Sequence, residues 1–165
     1  QMTPSSCHSR LPIMIRPQLK KYFLLTIDVE DWFQVENFSG YINRSEWSEL
    51  PSRVVQNTIR LLDLFQEQNN TIKATFFILG WVAERFPDLI REIAKRGHEI
   101  ASHGYGHAMC TNMAPDYLAA DLLRSKKVIE DISGVEVNGY RAPSFSISDS
   151  ALRLIMKTGY QLPYQ

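Results

Sequence analysis

Cysteine is almost absent from this sequence: Cys7 and Cys110 are the only two, in dissimilar surroundings and without CxxC spacing. A disulfide framework is therefore not expected. An excess of one charge is missing as well, because 18 Lys and Arg balance 18 Asp and Glu. The basic residues are spread along the chain, and the short cluster from Arg16 to Lys21 reads as a solvated lead-in, which excludes nucleic acid as an electrostatic partner. No apolar run approaches the ~20 residues a spanning helix needs, and Gln1 to Lys21 lacks the continuous hydrophobic segment of a signal peptide. The expectation is a protein with no transmembrane segment, cytoplasmic by default. What is present is a 44% share of hydrophobic residues in a 165-residue chain, enough for one globular domain with a sizeable core. Oligomeric state is not legible.

Pro4, Ser5, Ser6, Pro12 and Pro17 punctuate residues 1–21 without periodicity, which reads as a disordered leader that also holds His8. Residues 22–165 read as the folded part. Tyr22 to Ile27 is a continuous apolar, β-prone run ending in charge, the pattern of a strand buried on both faces. Val54 to Gln68 places Val54, Val55, Ile59, Leu61, Leu62, Leu64 and Phe65 at helical spacing, closed by Asn69 and Asn70. Ile72 to Leu79 is a second buried strand. Trp81 to Arg96 is helical, with Pro87 either dividing the segment or opening a second helix. His98 to Ser102 forms a short third strand, Pro115 to about Ile132 a helix ended by Ser133 and Gly134, and Val135 to Tyr140 a fourth strand. Ser148 caps a helix from Asp149 to Lys157, and Tyr160 begins a fifth strand. Strand alternating with helix implies an α/β fold with a parallel sheet and right-handed crossovers, either a barrel or an open doubly wound sheet.

In both architectures ligands collect at the C-terminal ends of the strands, and the chemically distinctive residues fall there. Asp28, Glu30 and Asp31 follow the first strand, His103 and His107 the third, and Arg141 the fourth. The histidines lie in Ser102-His103-Gly104-Tyr105-Gly106-His107, where two glycines argue for a turn with both imidazoles facing one point. A carboxylate from another strand end would complete a metal site. Taken alone, the pair also reads as solvated turn histidines, and Arg141 as a surface ion-pair partner. His98 has no partner spacing and reads as a hydrogen-bonded structural histidine. Trp32, Phe33 and Tyr105 flank the expected mouth, placed either to stack on a ligand's ring or to pack over the sheet end. Phe76, Phe77 and Trp81 are assigned to the core.

The motifs Asp28-Val29-Glu30-Asp31, His103-Gly-Tyr-Gly-His107 and Arg141-Ala-Pro143-Ser144, in that order on βα units, resemble the first three motifs of the polysaccharide deacetylases with a NodB-homology domain, carbohydrate esterase family 4. The similarity runs from about Tyr22 to the end, and is greatest to the branch associated with bacterial exopolysaccharide export. It implies a deformed (β/α) barrel, present only in part with about five strands. It further implies a metal-dependent hydrolase that removes N-acetyl groups from an amino-sugar polysaccharide or its precursor. By the resemblance Asp28 is the base that activates water, His103 and His107 are metal ligands, Arg141 orients Asp28 by a bidentate ion pair, and the backbone N–H of Ser144 holds the oxyanion. The third ligand is Glu30 or Asp31: strand alternation favours Glu30, and the family's commoner Asp-Asp pair leaves Asp31 open.

The chemistry also stands on general grounds. Hydrolysing an unactivated amide needs a nucleophile stronger than water, and a divalent ion with an open coordination position provides one near neutral pH. Two imidazoles and one carboxylate suit zinc first, with nickel, cobalt or manganese as alternatives. Two departures from the family pattern stand out. Ser144 replaces the family's tyrosine, which leaves a backbone role intact. No histidine follows His107, although the family draws its general acid from a late Leu-x-x-His motif. The expectation is an N-terminal fragment that lacks the acid. A ureide-type C–N hydrolase and a catalytically silent carbohydrate-binding domain are the alternative functions.

Overall fold

The computed structural model describes residues 23–68 and 71–161. The expected leader, Tyr22, the Asn69-Asn70 stop and the end of the expected fifth strand lie outside the described residues. Three parallel strands, β1 (Thr26–Val29), β2 (Thr75–Ile78) and β3 (Glu99–Ser102), form one sheet in the order β1-β2-β3. Their register sets Asp28 beside Phe77 and Ile78 beside Ser102. Among the described residues the α-helices are α1 (Val54–Glu67), α2 (Gly80–Arg85), α3 (Pro87–Lys95), α4 (Pro115–Ser133) and α5 (Asp149–Lys157).

The helices begin and end where local chemistry requires. Pro87 and Pro115 sit in the first turns of α3 and α4, where a missing N–H costs nothing. The segment from Trp81 to Arg96 is therefore two helices, with Phe86 non-helical between them at φ −129° and ψ 59°. Gly134, at φ 72°, closes α4 in the left-handed conformation that a glycine adopts without strain. The Ser148 hydroxyl accepts the Ala151 N–H at 3.2 Å and starts α5. α1 has no such local signal: Arg53 precedes it and supplies no cap, so its first N–H groups need an acceptor from elsewhere.

The helices cover one face of the sheet. Val29, Phe76, Ile78 and Ile100 on that face pack with Leu62, Ile90, Ile93, Leu122 and Ile129, all buried. Each large apolar side chain removed from water there contributes about 1.5–3 kcal/mol. His98 is buried beside Phe65 and Phe76 and accepts the Ala74 N–H at 3.3 Å, the structural role expected of it. Among the described residues no helix is long and apolar enough to cross a membrane.

The other sheet face departs from expectation. β1 is not buried on both sides: Phe23 and Leu24, which lead into it, are 88% and 85% exposed. They border a concavity of about 820 Å³ over this face, which also meets Thr75, Phe77 and Gly139. Phe77 is half-buried rather than core, because strand alternation turns it to this open face.

The strand count differs too, with three strands among the described residues where about five were expected. Val135–Tyr140 makes only a single parallel bridge, Tyr140 to Ser102. Its backbone is diverted: Val137 N–H donates to the Glu130 carboxylate at 2.9 Å, and the Val137 carbonyl accepts from Lys126 Nζ. Side chains of α4 thus take the groups a ladder would have used. At the expected fifth strand, Gln161 N–H reaches the Asn138 carbonyl at 2.9 Å, and no strand is present at Tyr160 or Gln161.

Candidate metal centre

β1 and β3 each end in a polar segment, and the parallel register brings the two ends together. Beyond β1, Glu30 lies on the same side of the chain as Asp28. Beyond β3, the chain turns through Gly104, at φ 78°, and reaches His107, whose backbone is also left-handed at φ 53°. One ligand atom from each of Glu30, His103 and His107 falls within 4.8 Å of the others. Of the expected ligand residues, these three are brought together.

Asp31 is not among them. Its carboxylate is buried and turned to the start of α1, where it accepts Arg53 N–H at 2.9 Å, Val54 N–H at 3.4 Å and the Ser52 hydroxyl. It is the acceptor that the uncapped helix needed, supplied from 22 residues upstream. Asp31→Ala leaves those buried donors unpaired and should cost about 1–3 kcal/mol of stability in chemical denaturation. Metal affinity should change little by comparison with Glu30→Ala.

The histidines are set differently. His103 Nδ1 lies 2.8 Å from the Arg141 carbonyl. A carbonyl only accepts, so Nδ1 carries the proton and Nε2 keeps its lone pair. His107 Nε2 approaches Glu30 Oε2 to 3.1 Å. The pair is not aligned as a hydrogen bond, and Glu30 Oε2 and His107 Nδ1 are both buried without a hydrogen-bond partner. A buried lone pair facing a buried carboxylate oxygen is unfavourable unless something positive sits between them. These donors therefore fit a divalent ion.

Electrostatics point the same way. Burial, helped by the neighbouring Asp28 charge, pushes the Glu30 carboxyl up to about 7. Burial, with His103 alongside, pulls the His107 imidazole down to about 4, and burial lowers His103 as well. Near neutral pH both imidazoles are unprotonated and ready to donate.

Asp28 and Arg141 form the second half of the site. Arg141 Nη1 donates to Asp28 Oδ1 at 2.6 Å, while Nη2 donates to Thr26 Oγ1 at 2.8 Å. The contact is thus shared between Asp28 and Thr26 and is not the bidentate pair expected. The guanidinium also lies 4.0 Å from the Phe77 ring centroid, so sheet side chains hold it on two sides. Phe77, expected in the core, thus lies against the site's arginine, and Thr26 was not expected there although it shares a strand face with Asp28 by simple alternation. Asp28, Glu30, His103, His107, Arg141 and Ser144 all line one open cleft of about 270 Å³. Ser144 and Phe145 are left-handed, at φ 51° and 52°. Phe33 is buried against Trp47 and Trp81, so it packs and does not stack on ligand. Trp32 is tied by its indole N–H to the Pro51 carbonyl at 3.0 Å, and Tyr105 by its hydroxyl to Glu84 at 2.6 Å.

A parallel sheet covered on one face by helices, with a carboxylate and two histidines gathered at its strand ends beside an Asp–Arg pair, is an α/β protein with a candidate mononuclear metal centre. The family model for polysaccharide deacetylase matches residues 39–163, a span that includes the histidine and arginine motifs and starts after the acidic turn. The chain belongs to the polysaccharide deacetylase family. It is 27% identical over 129 residues to a peptidoglycan-N-acetylglucosamine deacetylase of Bacillus cereus, covering 76% of this chain and 46% of that relative. It is 33% identical over 102 residues to a peptidoglycan deacetylase of Helicobacter pylori, covering 62% and 34%. A carbohydrate esterase family 4 pseudoenzyme from Bacillus anthracis superposes with a TM-score of 0.65 at 20% identity, over 83% of this chain and 40% of that one. The chain thus spans less than half the length of these relatives.

Proposed function

We propose that this chain carries the metal-binding and base-bearing part of an N-acetyl hydrolase acting on an amino-sugar polysaccharide or its precursor. The observation that carries the reading is the placing of Glu30, His103 and His107 in one cleft with the Asp28–Arg141 pair. Glu30, His103 and His107 would hold the ion, with zinc the first expectation for two imidazoles and a carboxylate. Such an ion supplies Lewis acidity, which acidifies water to a pKa of about 7 and polarises an amide carbonyl.

The chain's own groups do the rest. Asp28 takes the proton shed by the attacking water. Arg141 restrains the Asp28 carboxylate, so that the oxygen away from the guanidinium points to the reacting centre. Ser144 offers its backbone N–H to the amide oxygen as negative charge builds there. The leaving amine must also be protonated, and because no histidine follows His107, that donor is not assigned to a residue.

The test is zinc content of the purified protein, followed by acetate release from N-acetylglucosamine oligomers by the complete enzyme. Protein that binds zinc and releases acetate supports the reading. Protein that binds zinc in the complete enzyme and releases none supports the catalytically silent alternative. The Glu30 carboxyl adds a pH signature. With its proton held up to about 7, while the His107 imidazole is neutral down to about 4, the Glu30 carboxyl competes for metal with its own proton below neutral pH. Zinc affinity should therefore fall about tenfold per pH unit below 7 and level off above it, as read by calorimetry in buffers of matched ionic strength. Glu30→Gln should abolish that slope.

A further inference from the structure

His103 and His107 differ in what holds their rings. His103 is oriented through its own Nδ1 by the Arg141 carbonyl. His107 has no such partner, since its Nδ1 is buried and unpaired. Its position opposite Glu30 is therefore inherited from the backbone of the turn between the histidines.

That turn is held from below by α4. The Tyr105 N–H donates to Asp121 Oδ2 at 3.0 Å, and the Ser125 hydroxyl donates to the Gly104 carbonyl at 2.9 Å. Ser125 also meets the Ser102 hydroxyl at 2.8 Å, and Ser102 Oγ accepts the Gly104 N–H at 3.2 Å. Asp121 and Ser125 are four apart, so they share one helix face, between the buried Leu118, Leu122 and Ile129. Two polar groups inside that apolar stripe are costly unless they have a task, and both are spent on the histidine turn. Gly104 makes the approach possible: a Cβ there would lie 3.1 Å from Asp121 Oδ2. From the other side, Gly80 N–H and Trp81 N–H of α2 bond the Gly104 and Tyr105 carbonyls, each at 2.9 Å. Every backbone polar group of Gly104 and Tyr105 is thereby engaged.

We propose that Asp121 and Ser125 are positioning residues that set where His107 stands relative to His103 and Glu30. The inference rests on the metal reading given above and extends it to a helix that touches no ligand. Asp121 offers the one acceptor for the Tyr105 N–H. Losing it leaves that N–H unpaired and the middle of the turn held only through the Tyr105 carbonyl and hydroxyl, and the ring that follows has no hydrogen bond of its own to keep it in place.

The experiment is zinc affinity by competition with a chromophoric chelator, measured beside the thermal midpoint of the metal-free protein. The proteins compared are the unaltered protein, Asp121→Ala, Asp121→Asn and Ser125→Ala. Outer partners of metal ligands change affinity by about 10–100-fold, and Asp121→Ala should fall in that range. Ser125→Ala should lose less, because α2 still binds the Gly104 carbonyl. Asp121→Asn, whose amide oxygen can accept the same N–H, should restore most of the affinity. A purely structural role would lower the metal-free midpoint in Asp121→Ala and leave zinc affinity unchanged, which would overturn the proposal. Should Asp121→Ala not fold, a Ser125→Ala protein with unaltered zinc affinity would overturn it equally. Unaltered protein that binds no zinc would overturn the metal reading itself, and the positioning role with it.

Discussion

Asp28→Asn is expected to slow acetate release from an N-acetylglucosamine oligomer by about 10²–10⁴-fold in the complete enzyme, with zinc per chain unchanged. The magnitude is that of removing a positioned general base. The substitution keeps the side chain's shape, and an amide oxygen can still accept from Arg141, so the 2.6 Å contact and the packing on Phe77 have no reason to fail. What disappears is the capacity to take a proton. Asp28 is outside the Glu30–His103–His107 group, which is why zinc content separates the two roles. A loss of zinc in Asp28→Asn would make Asp28 a ligand and leave the base unassigned. An unchanged rate would remove Asp28 from the chemistry.

His107→Ala is expected to cost more in metal affinity than any outer-shell change, at least about 100-fold. It is the cleaner of the two histidine tests. Removing the His103 ring would also strip the Arg141 carbonyl of its 2.8 Å partner and loosen the loop that holds Asp28, whereas His107 Nδ1 has no hydrogen bond to lose. Competition with a chelator reads the affinity, and the far-ultraviolet dichroism spectrum should match that of the unaltered protein. Metal binding that survives in His107→Ala would dissolve the proposed centre.

The same substitution has a signature without metal. Burial holds the folded His107 imidazole down to about 4, below its ordinary 6.5, so the unfolded chain binds this proton more readily. Stability from this group is therefore complete above pH 6.5 and is lost as pH falls toward 4. Metal-free His107→Ala should lose less stability than the unaltered protein over that interval, as measured by urea denaturation at each pH.

The helices were legible because their signals are local. Pro87 and Pro115 mark first turns, Ser148 caps α5, Gly134 ends α4, and the apolar spacing from Val54 onward defines the buried face of α1. Period, cap and breaker act within a few residues, so a sequence displays them directly. The three motifs of the site were legible for a related reason: strand ends in parallel sheets converge, and Asp28, His103 and Arg141 each follow a segment that reads as a strand.

Other features depended on residues distant in the chain. Glu30 and Asp31 are chemically alike and adjacent, and what separates them is that α1 begins at Arg53 without a cap and takes Asp31 as its acceptor. The strand expected at Val135–Tyr140 has the right composition, yet Glu130 and Lys126 engage its backbone before a ladder can form. Arg141 divides its donors between Asp28 and Thr26 because β1 presents both on one face. The sequence by itself determined the helices, the first three strands and which residues gather at the strand ends, since hydrophobic period and parallel topology decide these. Only the tertiary structure decided which carboxylate faces the histidines and which caps a helix, and that α4 holds the turn between them, because hydrogen-bond partners tens of residues apart leave no mark on local pattern.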